Sequence, residues 1–382
     1  MTILPGLLAL TAVTQLALAA APQPSPSTMD AIFSSLTDEK SPGLAVLIRD
    51  HGRTVFEKGY GIRDLRTRAR IDPQTNFRLA SFTKQFTAMA TMLLIHDGKL
   101  RYDRKLTELF PDFPAYGRAI TVRHLLTHTS GLPDYEDLME SAGKSKGATW
   151  SVTRQIQDVE VLDLLKRQSA GKFAPGASWA YSNSGYVVLG LIVAKVSGEP
   201  FGKFLQERIF APLHMSNTVV YGNGVNNVPN RAYGHTRRPS GFVESDQSET
   251  SATLGDGGVY SNLADLARWD EALETHALLS EPEMNLALTP VQLADGTQPK
   301  WPSAQGGDNL APGKPVSYGF GWFLDPYQGR ARMWHSGGTM GFRTVIDRLT
   351  AGRLTIVVLC NRTDLDPAEL ALQAANVYFG GK

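Results

Sequence analysis

Ser81 and Lys84 are the residues whose types and spacing most directly offer chemistry. They frame the tetrapeptide Ser81-Phe82-Thr83-Lys84, which opens a segment with apolar residues at helical spacing as far as His96. Residues three apart on a helix share a face, so the lysine amine can reach the serine hydroxyl. A serine is a poor nucleophile until a base takes its proton, and a lysine can be that base if burial lowers its pKa. The alternative is an N-cap serine with a solvated lysine.

A second candidate motif is Tyr181-Ser182-Asn183, in a turn-rich stretch just before a predicted helix over residues 185–197. A tyrosine phenol near a lysine can relay protons, and an asparagine amide can hold a substrate carbonyl. The alternative is a turn-capping role, which is the common use of such residues.

The third candidate motif is His335-Ser336-Gly337-Gly338, at the end of a predicted strand rich in apolar and aromatic residues. Small residues let the backbone of a strand approach a ligand closely, and a free N–H can complete an oxyanion hole. The alternative is a simple strand-ending turn.

The elements that must position these motifs fall into a simple order along the chain. β-rich runs predict strands at residues 43–49, 53–60, 318–324, 331–335, 342–348 and 353–360. Helical spacing predicts helices at residues 81–96, 121–128, 155–168, 185–197, 201–209, 263–275 and 367–378. We therefore predict an α+β fold with an antiparallel sheet built from both chain ends, flanked by terminal helices, and an inserted mainly helical domain.

The predicted domain bounds follow from this order. Residues 30–80 and 255–382 form the predicted α/β sheet domain, and residues 81–254 form the mainly helical domain. Residues 1–20 are predicted to be a signal peptide and residues 21–29 a flexible leader.

The order and spacing of the three motifs resemble those of the penicillin-recognising serine hydrolases. With Tyr-Ser-Asn in the middle, the sequence is similar to the branch that holds class C β-lactamases, D-alanyl-D-alanine carboxypeptidases, family VIII carboxylesterases and D-aminopeptidases. Further similar stretches lie at residues 96–100, 121–134, 172–176, 255–269 and 318–322. The resemblance covers residues 30–378 and implies a β-lactamase/transpeptidase-like fold.

Carried over to this chain, the resemblance implies an acyl-enzyme mechanism. Ser81 would be the acylated nucleophile and Lys84 its proton acceptor, while Tyr181 would shuttle protons to the leaving group and in deacylation. Asn183 would orient the acyl side chain or Lys84. The backbone N–H groups of Ser81 and Gly338 would form the oxyanion hole.

The third motif departs from the β-lactamase pattern at its first residue. Class C β-lactamases usually carry a lysine there, where a fixed positive charge meets the substrate carboxylate. This chain has His335, which is mostly neutral at pH 7 unless a neighbour raises its pKa. With Ser336 and Gly337 it would line the substrate site. We therefore expect weak or no β-lactamase activity. We also expect that the true substrate need not carry a carboxylate at that point.

Composition excludes several classes of function. Lys and Arg number 38 against 37 Asp and Glu, so a net charge of +1 gives no general attraction to nucleic acid, and no nucleic-acid partner is expected. The single cysteine, Cys360, excludes an internal disulfide and a cysteine-based metal cluster. A hydrophobic content of 42% over 382 residues is ample for a large core.

The first twenty residues are typical of an export signal. An apolar run over residues 3–20 contains Ala17-Leu18-Ala19, which fits the small-x-small pattern of a cleavage site. The alternative is an uncleaved anchor, against which Pro5 and Gln15 argue. We predict an exported protein, periplasmic or secreted, with no stable membrane insertion after cleavage.

Other conspicuous residues are predicted to have structural roles. His124 and His128 have the i,i+4 spacing of metal-binding helices, but no glutamate stands beside the first histidine. The glycines at residues 255–258 and 337–341 do not follow the order of a nucleotide-binding loop, so close packing is the better interpretation. Cys360 ends an apolar strand and is predicted to be a buried hydrophobe. We expect neither a metal nor a cofactor.

The sequence therefore predicts an exported serine hydrolase that cleaves an ester or amide through an acyl-enzyme on Ser81. Small esters or D-amino-acid peptides are favoured over β-lactams as substrates. One alternative is a D-alanyl-D-alanine carboxypeptidase acting on peptidoglycan stem peptides. Another is a catalytically idle protein that binds peptidoglycan fragments or a partner protein.

Overall fold

The computed structural model describes residues 24–146, 149–302 and 313–380. Its helices are α1 (Pro26–Phe33), α2 (Lys84–His96), α3 (Leu106–Leu109), α4 (Val122–Leu126), α5 (Tyr135–Lys146), α6 (Asp158–Lys166), α7 (Asn183–Ser197), α8 (Phe201–Leu205), α9 (Leu263–Thr275), α10 (Glu281–Ala287) and α11 (Pro367–Tyr378). Its strands are β1 (Leu44–Asp50), β2 (Arg53–Tyr60), β3 (Ile62–Asp64), β4 (Ala69–Arg70), β5 (Phe77–Arg78), β6 (Val219–Val220), β7 (His235–Arg238), β8 (Gly241–Glu244), β9 (Val259–Ser261), β10 (Met333–Thr339), β11 (Phe342–Leu349) and β12 (Leu354–Cys360). The predicted signal peptide lies outside the described residues.

One five-stranded antiparallel sheet organises the molecule, in the order β10-β11-β12-β1-β2. Its centre joins the two chain ends, because Leu44 of β1 lies opposite Cys360 of β12 on one side and Tyr60 of β2 on the other. Three smaller sheets pair β5-β9-β6, β3-β4 and β7-β8. The prediction of an α+β fold with an antiparallel sheet built from both chain ends is confirmed.

The central strand β1 is buried on both faces, and its residues alternate between two hydrophobic cores. Leu44, Val46 and Ile48 pack into the core that contains residues of the terminal helices α1 and α11. Ala45 and Leu47 face the opposite way, into the core shared with the remaining helices. This alternation is the two-residue period of a strand, so the same short segment supports both layers of the fold.

Helix α2 is the axis of the helical side. Every residue from Lys84 to Leu94 is buried, and the helix packs against α7. A 3₁₀ turn, Ala80–Thr83, precedes it, so the predicted single helix over residues 81–96 begins in a tighter winding. Side chains three apart eclipse each other in a 3₁₀ turn, which brings Ser81 directly over Lys84.

Two predicted strands differ in the structure. Residues 318–324 form a tight reversal, in which Tyr318 pairs with Phe323 and the backbone of Gly321 has a φ of +78°. A strand residue rarely adopts that angle, so the apolar run was a misleading signal. The strand predicted over residues 331–335 is β10, which runs on to Thr339 and therefore contains the third motif within it.

Among the described residues, no helix has the length and apolar character needed to cross a membrane. The division of the chain into a sheet domain and a helical domain at residues 80 and 254 stays a prediction.

Candidate active site

The turn that carries Ser81 is fixed by its neighbours on both sides. Ala80 has a φ of +51°, in a region that a residue with a side chain rarely occupies. The preceding carbonyl, Leu79 O, accepts a hydrogen bond from Thr344 Oγ1 at 2.8 Å. A Cβ on Gly337 would lie 2.0 Å from that same oxygen, so only glycine lets β10 pass this close. Contacts of this kind hold a strained backbone in place next to a reactive group.

Lys84 is fully buried and its amine lies at the centre of the site. Lys84 Nζ is 3.0 Å from Ser81 Oγ, 2.9 Å from Asn183 Oδ1 and 3.1 Å from the backbone oxygen of Asp256. In its neutral form, the one that can act as a base, the amine has two N–H donors and one lone pair. The amide and carbonyl oxygens can take the two donors, which leaves the lone pair directed at the serine hydroxyl.

The second motif meets the first because α7 begins beside α2. Ser182 caps α7 by accepting the Gly185 N–H at 3.2 Å, and Asp134 Oδ2 accepts the Asn183 N–H at 3.0 Å. These two bonds set the direction of the helix start and with it the Asn183 side chain. The Tyr181 ring centroid lies 4.8 Å from Lys84 Nζ, which brings the phenol ring to the lysine.

His128 holds the backbone on both sides of Tyr181. Its carbonyl accepts the Ala180 N–H at 3.1 Å, and its Nδ1 accepts the Ser182 N–H at 3.2 Å. The His128 ring also packs on the Tyr181 ring, with centroids 4.5 Å apart. Burial, followed by the charge of Lys84, holds the pKa of His128 well below its ordinary value, so the ring is neutral and Nδ1 is free to accept.

His335 carries no positive charge in the folded protein. Burial is the main cause that lowers its pKa to about 3, and the charge of Lys84 is the second. The hydrogen bonds assign its tautomer: Nδ1–H donates to the Ser336 carbonyl at 2.6 Å, and Nε2 accepts the Tyr318 hydroxyl at 3.2 Å. A substrate carboxylate at this point would therefore find no cationic partner in the third motif.

A pocket of about 100 Å³ opens in front of the serine hydroxyl. It is lined by Ser81, Tyr181, Trp301, Phe323, His335, Ser336 and Gly338. Trp301, Phe323 and Trp334 form an aromatic stack, with ring centroids 5.7 Å and 4.8 Å apart in succession. We call the whole cavity the aromatic pocket. Its chemistry suits an uncharged, partly apolar group.

Ser81 and Gly338 both line the aromatic pocket. Strand β10 is at the edge of the five-stranded sheet, and on its outer side Trp334 exchanges backbone hydrogen bonds with Phe323. An edge strand beside a nucleophile is the arrangement in which backbone N–H groups can meet a developing oxyanion.

The structure therefore brings together residues from all three motifs. The side chains or backbone of Ser81, Lys84, Tyr181, Asn183, His335, Ser336 and Gly338 surround one site. Gly337, predicted to line the substrate site, packs instead against the backbone of Leu79.

The sequence reasoning missed contacts made by the backbone and by buried rings. The carbonyl of Asp256 binds Lys84, and the hydroxyl of Tyr318 binds His335. Any residue carries a carbonyl, so a carbonyl contact leaves no sequence signal. The glycines beside Asp256 give a partial sequence signal. A Cβ on Gly255 would lie 2.3 Å from the Tyr186 carbonyl, so a glycine at this position marks a close approach of two backbone segments.

The two histidines and the cysteine that the sequence predicts to be structural lie in buried or capping positions. His124 Nδ1 accepts the Thr121 N–H at 3.2 Å as part of the cap of α4, while His128 faces the site. Cys360 is buried, and burial raises its pKa. In the described part of the chain, no three His, Cys, Asp or Glu side chains lie close enough to hold a metal ion.

The antiparallel sheet with helices on both faces and a serine–lysine pair at its edge defines a protein of the β-lactamase/transpeptidase class. A sequence profile of the beta-lactamase family matches residues 29–378. The chain therefore belongs to the beta-lactamase family, as its motifs suggested, and it is a serine hydrolase.

Known relatives agree with this assignment. The chain is 31% identical to penicillin-binding protein 4* of Bacillus subtilis over 368 residues, covering 92% of this chain and 76% of the relative. A penicillin-binding protein homologue from Pyrococcus abyssi, described as octameric, superposes with a TM-score of 0.74 at 26% identity, covering 93% of this chain and 76% of the other. The D-amino acid amidase from Ochrobactrum anthropi shares the fold, with a TM-score of 0.75 at 23% identity, covering 92% and 98%.

Proposed function

We propose that the chain is an exported hydrolase that cleaves small esters or D-amino-acid peptides through an acyl-enzyme on Ser81. The observation that carries the proposal is the distance of 3.0 Å between Lys84 Nζ and Ser81 Oγ inside a fully buried environment. A nucleophile and its base within hydrogen-bonding reach are the geometry that acyl transfer requires.

In the proposed acylation step, Lys84 Nζ accepts the proton of Ser81 Oγ–H while Oγ forms a bond to the substrate carbonyl carbon. The carbonyl oxygen becomes an oxyanion and takes hydrogen bonds from the N–H groups of Ser81 and Gly338. The carbon–leaving-group bond then breaks, and the leaving group receives the proton through Tyr181. Water repeats the sequence on the acyl-enzyme, releasing the acid and restoring the Ser81 hydroxyl.

The neutral state of His335 supports a substrate that is uncharged where it meets the third motif. The aromatic rings of Trp301 and Phe323 in the same pocket favour an apolar group there. β-Lactams carry a carboxylate, and this pocket gives it no cation from the third motif. We therefore rank small esters and D-amino-acid peptides above β-lactams.

A D-alanyl-D-alanine carboxypeptidase is the second candidate. The similarity to a penicillin-binding protein over most of the chain favours it. The leaving D-alanine of such a substrate has a free carboxylate, and the neutral His335 opposes tight binding of that group. An idle binding protein is disfavoured, because Ser81 and Tyr181 both lie beside the buried amine of Lys84.

The chemistry can be tested by covalent trapping. We expect a labelled fluorophosphonate to modify the purified mature chain, and peptide mapping to find the label on Ser81. Ser81→Ala should remove the label and all turnover while leaving thermal unfolding unchanged. The Ser81 hydroxyl takes part in the reaction and does not pack in the hydrophobic core. Full activity in that variant would exclude the mechanism.

A substrate panel ranks the candidates. It contains p-nitrophenyl esters of graded chain length, D-alanyl-D-alanine peptides and nitrocefin. Rapid hydrolysis of the peptides alone would favour the carboxypeptidase, and no labelling and no hydrolysis would favour the binding protein. Cell fractionation and N-terminal sequencing of the expressed full chain test the proposed export and cleavage.

A further inference from the structure

Residues 255–258, with the sequence Gly-Asp-Gly-Gly, form a loop beside the turn that carries Ser81, and we call it the glycine loop. A Cβ on Gly257 would lie 3.7 Å from the backbone of Ala80. The loop supplies the Asp256 carbonyl that binds Lys84 Nζ at 3.1 Å. Three of its four residues are glycines, which have little conformational stiffness of their own. The position of this carbonyl must therefore be set by contacts from outside the loop.

Helix α2 and the 3₁₀ turn before it supply such contacts at both ends of the glycine loop. At one end, Thr87 Oγ1 donates to the Gly255 carbonyl at 2.6 Å. At the other end, Thr83 Oγ1 accepts the N–H of Val259, the residue that follows the loop, at 3.1 Å. Thr87 comes four residues after Thr83 and three after Lys84, so the three side chains share one helix face. Lys84 therefore reaches the loop between two threonine anchors.

The Thr87 anchor is buried on both sides of its hydrogen bond. The Thr87 side chain is 0% exposed, and Gly255 is buried as well. A Cβ on Gly255 would lie 2.3 Å from the Tyr186 carbonyl and 3.1 Å from the Cα of Gly190, both on α7. The loop is therefore pressed between α2 and α7. Because the site is closed to bulk water, a hydrogen bond removed here has no ready replacement.

The Thr87 anchor is connected to the amine of Lys84 through a single peptide group. The Gly255 carbonyl and the Asp256 nitrogen belong to the same planar unit, so the Thr87 hydroxyl fixes the backbone on the N-terminal side of Asp256. In its neutral form, the amine donates one N–H to the Asp256 carbonyl and directs its lone pair at the Ser81 hydroxyl. A displaced carbonyl would let the amine rotate, and the lone pair would turn away from Ser81.

We propose, resting on the proposed function, that Thr87 is a positioning residue for acyl transfer. Its hydroxyl holds the Gly255–Asp256 peptide group in the orientation that keeps the lone pair of Lys84 directed at Ser81 Oγ. Thr87 does not line the aromatic pocket, so it acts through Lys84 and not by contact with the substrate. Its loss should therefore lower kcat and leave KM nearly unchanged.

Two substitutions of Thr87 test the proposal. Thr87→Val replaces the hydroxyl by a methyl group of similar size and removes the donor to Gly255. We expect kcat for the best p-nitrophenyl ester to fall by about tenfold to a hundredfold, the effect of a misplaced catalytic group. Thr87→Ser keeps the hydroxyl and should recover most of the loss. Each rate is divided by the number of sites that the fluorophosphonate labels to completion, so that a loss of folded protein cancels.

Thr91→Val is the matched control on the same helix. Thr91 is also buried, and its Oγ1 donates to the carbonyl of Thr87 within α2, at 2.9 Å, and not to the glycine loop. The variant removes a buried hydroxyl one turn further along and should leave kcat unchanged. If Thr91→Val lowers kcat as much as Thr87→Val, the loss belongs to the helix as a whole and the proposal is wrong.

A double-mutant cycle with Lys84→Met separates positioning from a general structural effect. The readout is the rate at which the fluorophosphonate labels Ser81, followed for long enough to measure slow reaction. If Thr87 acts through the amine, Thr87→Val should slow labelling in the unaltered chain and add little once the amine is gone. The same fold-loss in both backgrounds would show a role independent of Lys84 and would overturn the proposal.

The remaining outcomes separate this proposal from the proposed function. Thr87→Ser as slow as Thr87→Val would assign the loss to packing of the Thr87 methyl group and would also overturn the positioning role. In each of these cases the unaltered chain is still labelled on Ser81, so the proposed function stands. No hydrolysis and no label in the unaltered chain would remove both.

Discussion

Two buried polar clusters lie between the sheet and the helices, and they are built in opposite ways. The Asp270 cluster joins the carboxylate of Asp270 on α9 to Arg49 and Arg348 at 2.7 Å each, and to Thr355 at 2.6 Å. The Lys84 cluster joins the amine of Lys84 to oxygens of Ser81, Asn183 and the Asp256 backbone.

The difference lies in the charge of the partners. Asp270 is held between two guanidinium groups, so its carboxylate is paired with a cation on both sides. The hydroxyl, amide and carbonyl oxygens around Lys84 carry no net charge, and they fix the position of the amine by hydrogen bonds. The Asp270 cluster ties elements together, whereas the Lys84 cluster places an amine within reach of a nucleophile.

The largest expected effect comes from removing the amine. Lys84→Met keeps a long apolar side chain in the same space but provides no base. We expect kcat/KM for the best ester to fall by roughly 10²–10⁴-fold, the contribution of positioned proton transfer. Steady-state hydrolysis measures the loss, and circular dichroism checks that the chain is folded.

Lys203→Met is the matched control, since Lys203 is an exposed lysine that pairs with Glu199 and does not line the aromatic pocket beside Ser81. It should leave the rate unchanged. A loss of less than tenfold in Lys84→Met would point to a different base and would remove the contrast between the two clusters.

Breaking the Asp270 cluster should lower the free energy of unfolding and leave the rate of ester hydrolysis unchanged. Asp270→Ala leaves two buried guanidinium groups without their carboxylate, which costs about 3–5 kcal/mol of unfolding free energy. Urea titration measures the loss. The fraction that remains folded at low temperature should hydrolyse ester at the normal rate per folded molecule, and an unchanged urea midpoint would contradict this account.

The fold could be predicted in outline because strands and helices leave periodic patterns. The continuous apolar runs of β1 and β12 and the helical spacing of α2 and α11 are all direct consequences of burial. The apolar run at residues 318–324 has the same composition, but Gly321 turns the chain back on itself. Composition alone does not distinguish a buried strand from a buried reversal.

The site could be predicted only in part. The three-residue spacing of Ser81 and Lys84 predicts their contact, but nothing in the spacing of Lys84 and Asn183 predicts that they meet, and that expectation came from the family resemblance. The roles of Asp256 and His128 depend on a carbonyl and on a ring nitrogen brought in by long-range packing. Such contacts require the three-dimensional arrangement.

Substitution of His128 should have an intermediate effect on kcat, because His128 positions Tyr181 through the backbone. His128→Asn keeps an acceptor atom at the position of Nδ1 and tolerates the local φ of +59°, whereas His128→Leu does neither. We expect His128→Leu to lower kcat by about tenfold to a hundredfold with a small change in KM. The kcat of His128→Asn should lie close to that of the unaltered chain. Equal losses in both variants would mean that the ring matters only for packing.

His335 is expected to add a pH dependence to the stability of the fold. Its pKa is lowered to about 3 in the folded chain from an ordinary 6.5, so between these values the unfolded chain binds the extra proton. The free energy of unfolding must therefore fall as the pH falls through this range, by at most about 1.4 kcal/mol per pH unit for this group. His335→Gln removes the group, so urea midpoints measured from pH 4 to pH 7 should fall less steeply in the variant. His124 and His128 titrate in both proteins and cancel in the difference, and parallel slopes would show that His335 is charged beside Lys84 after all.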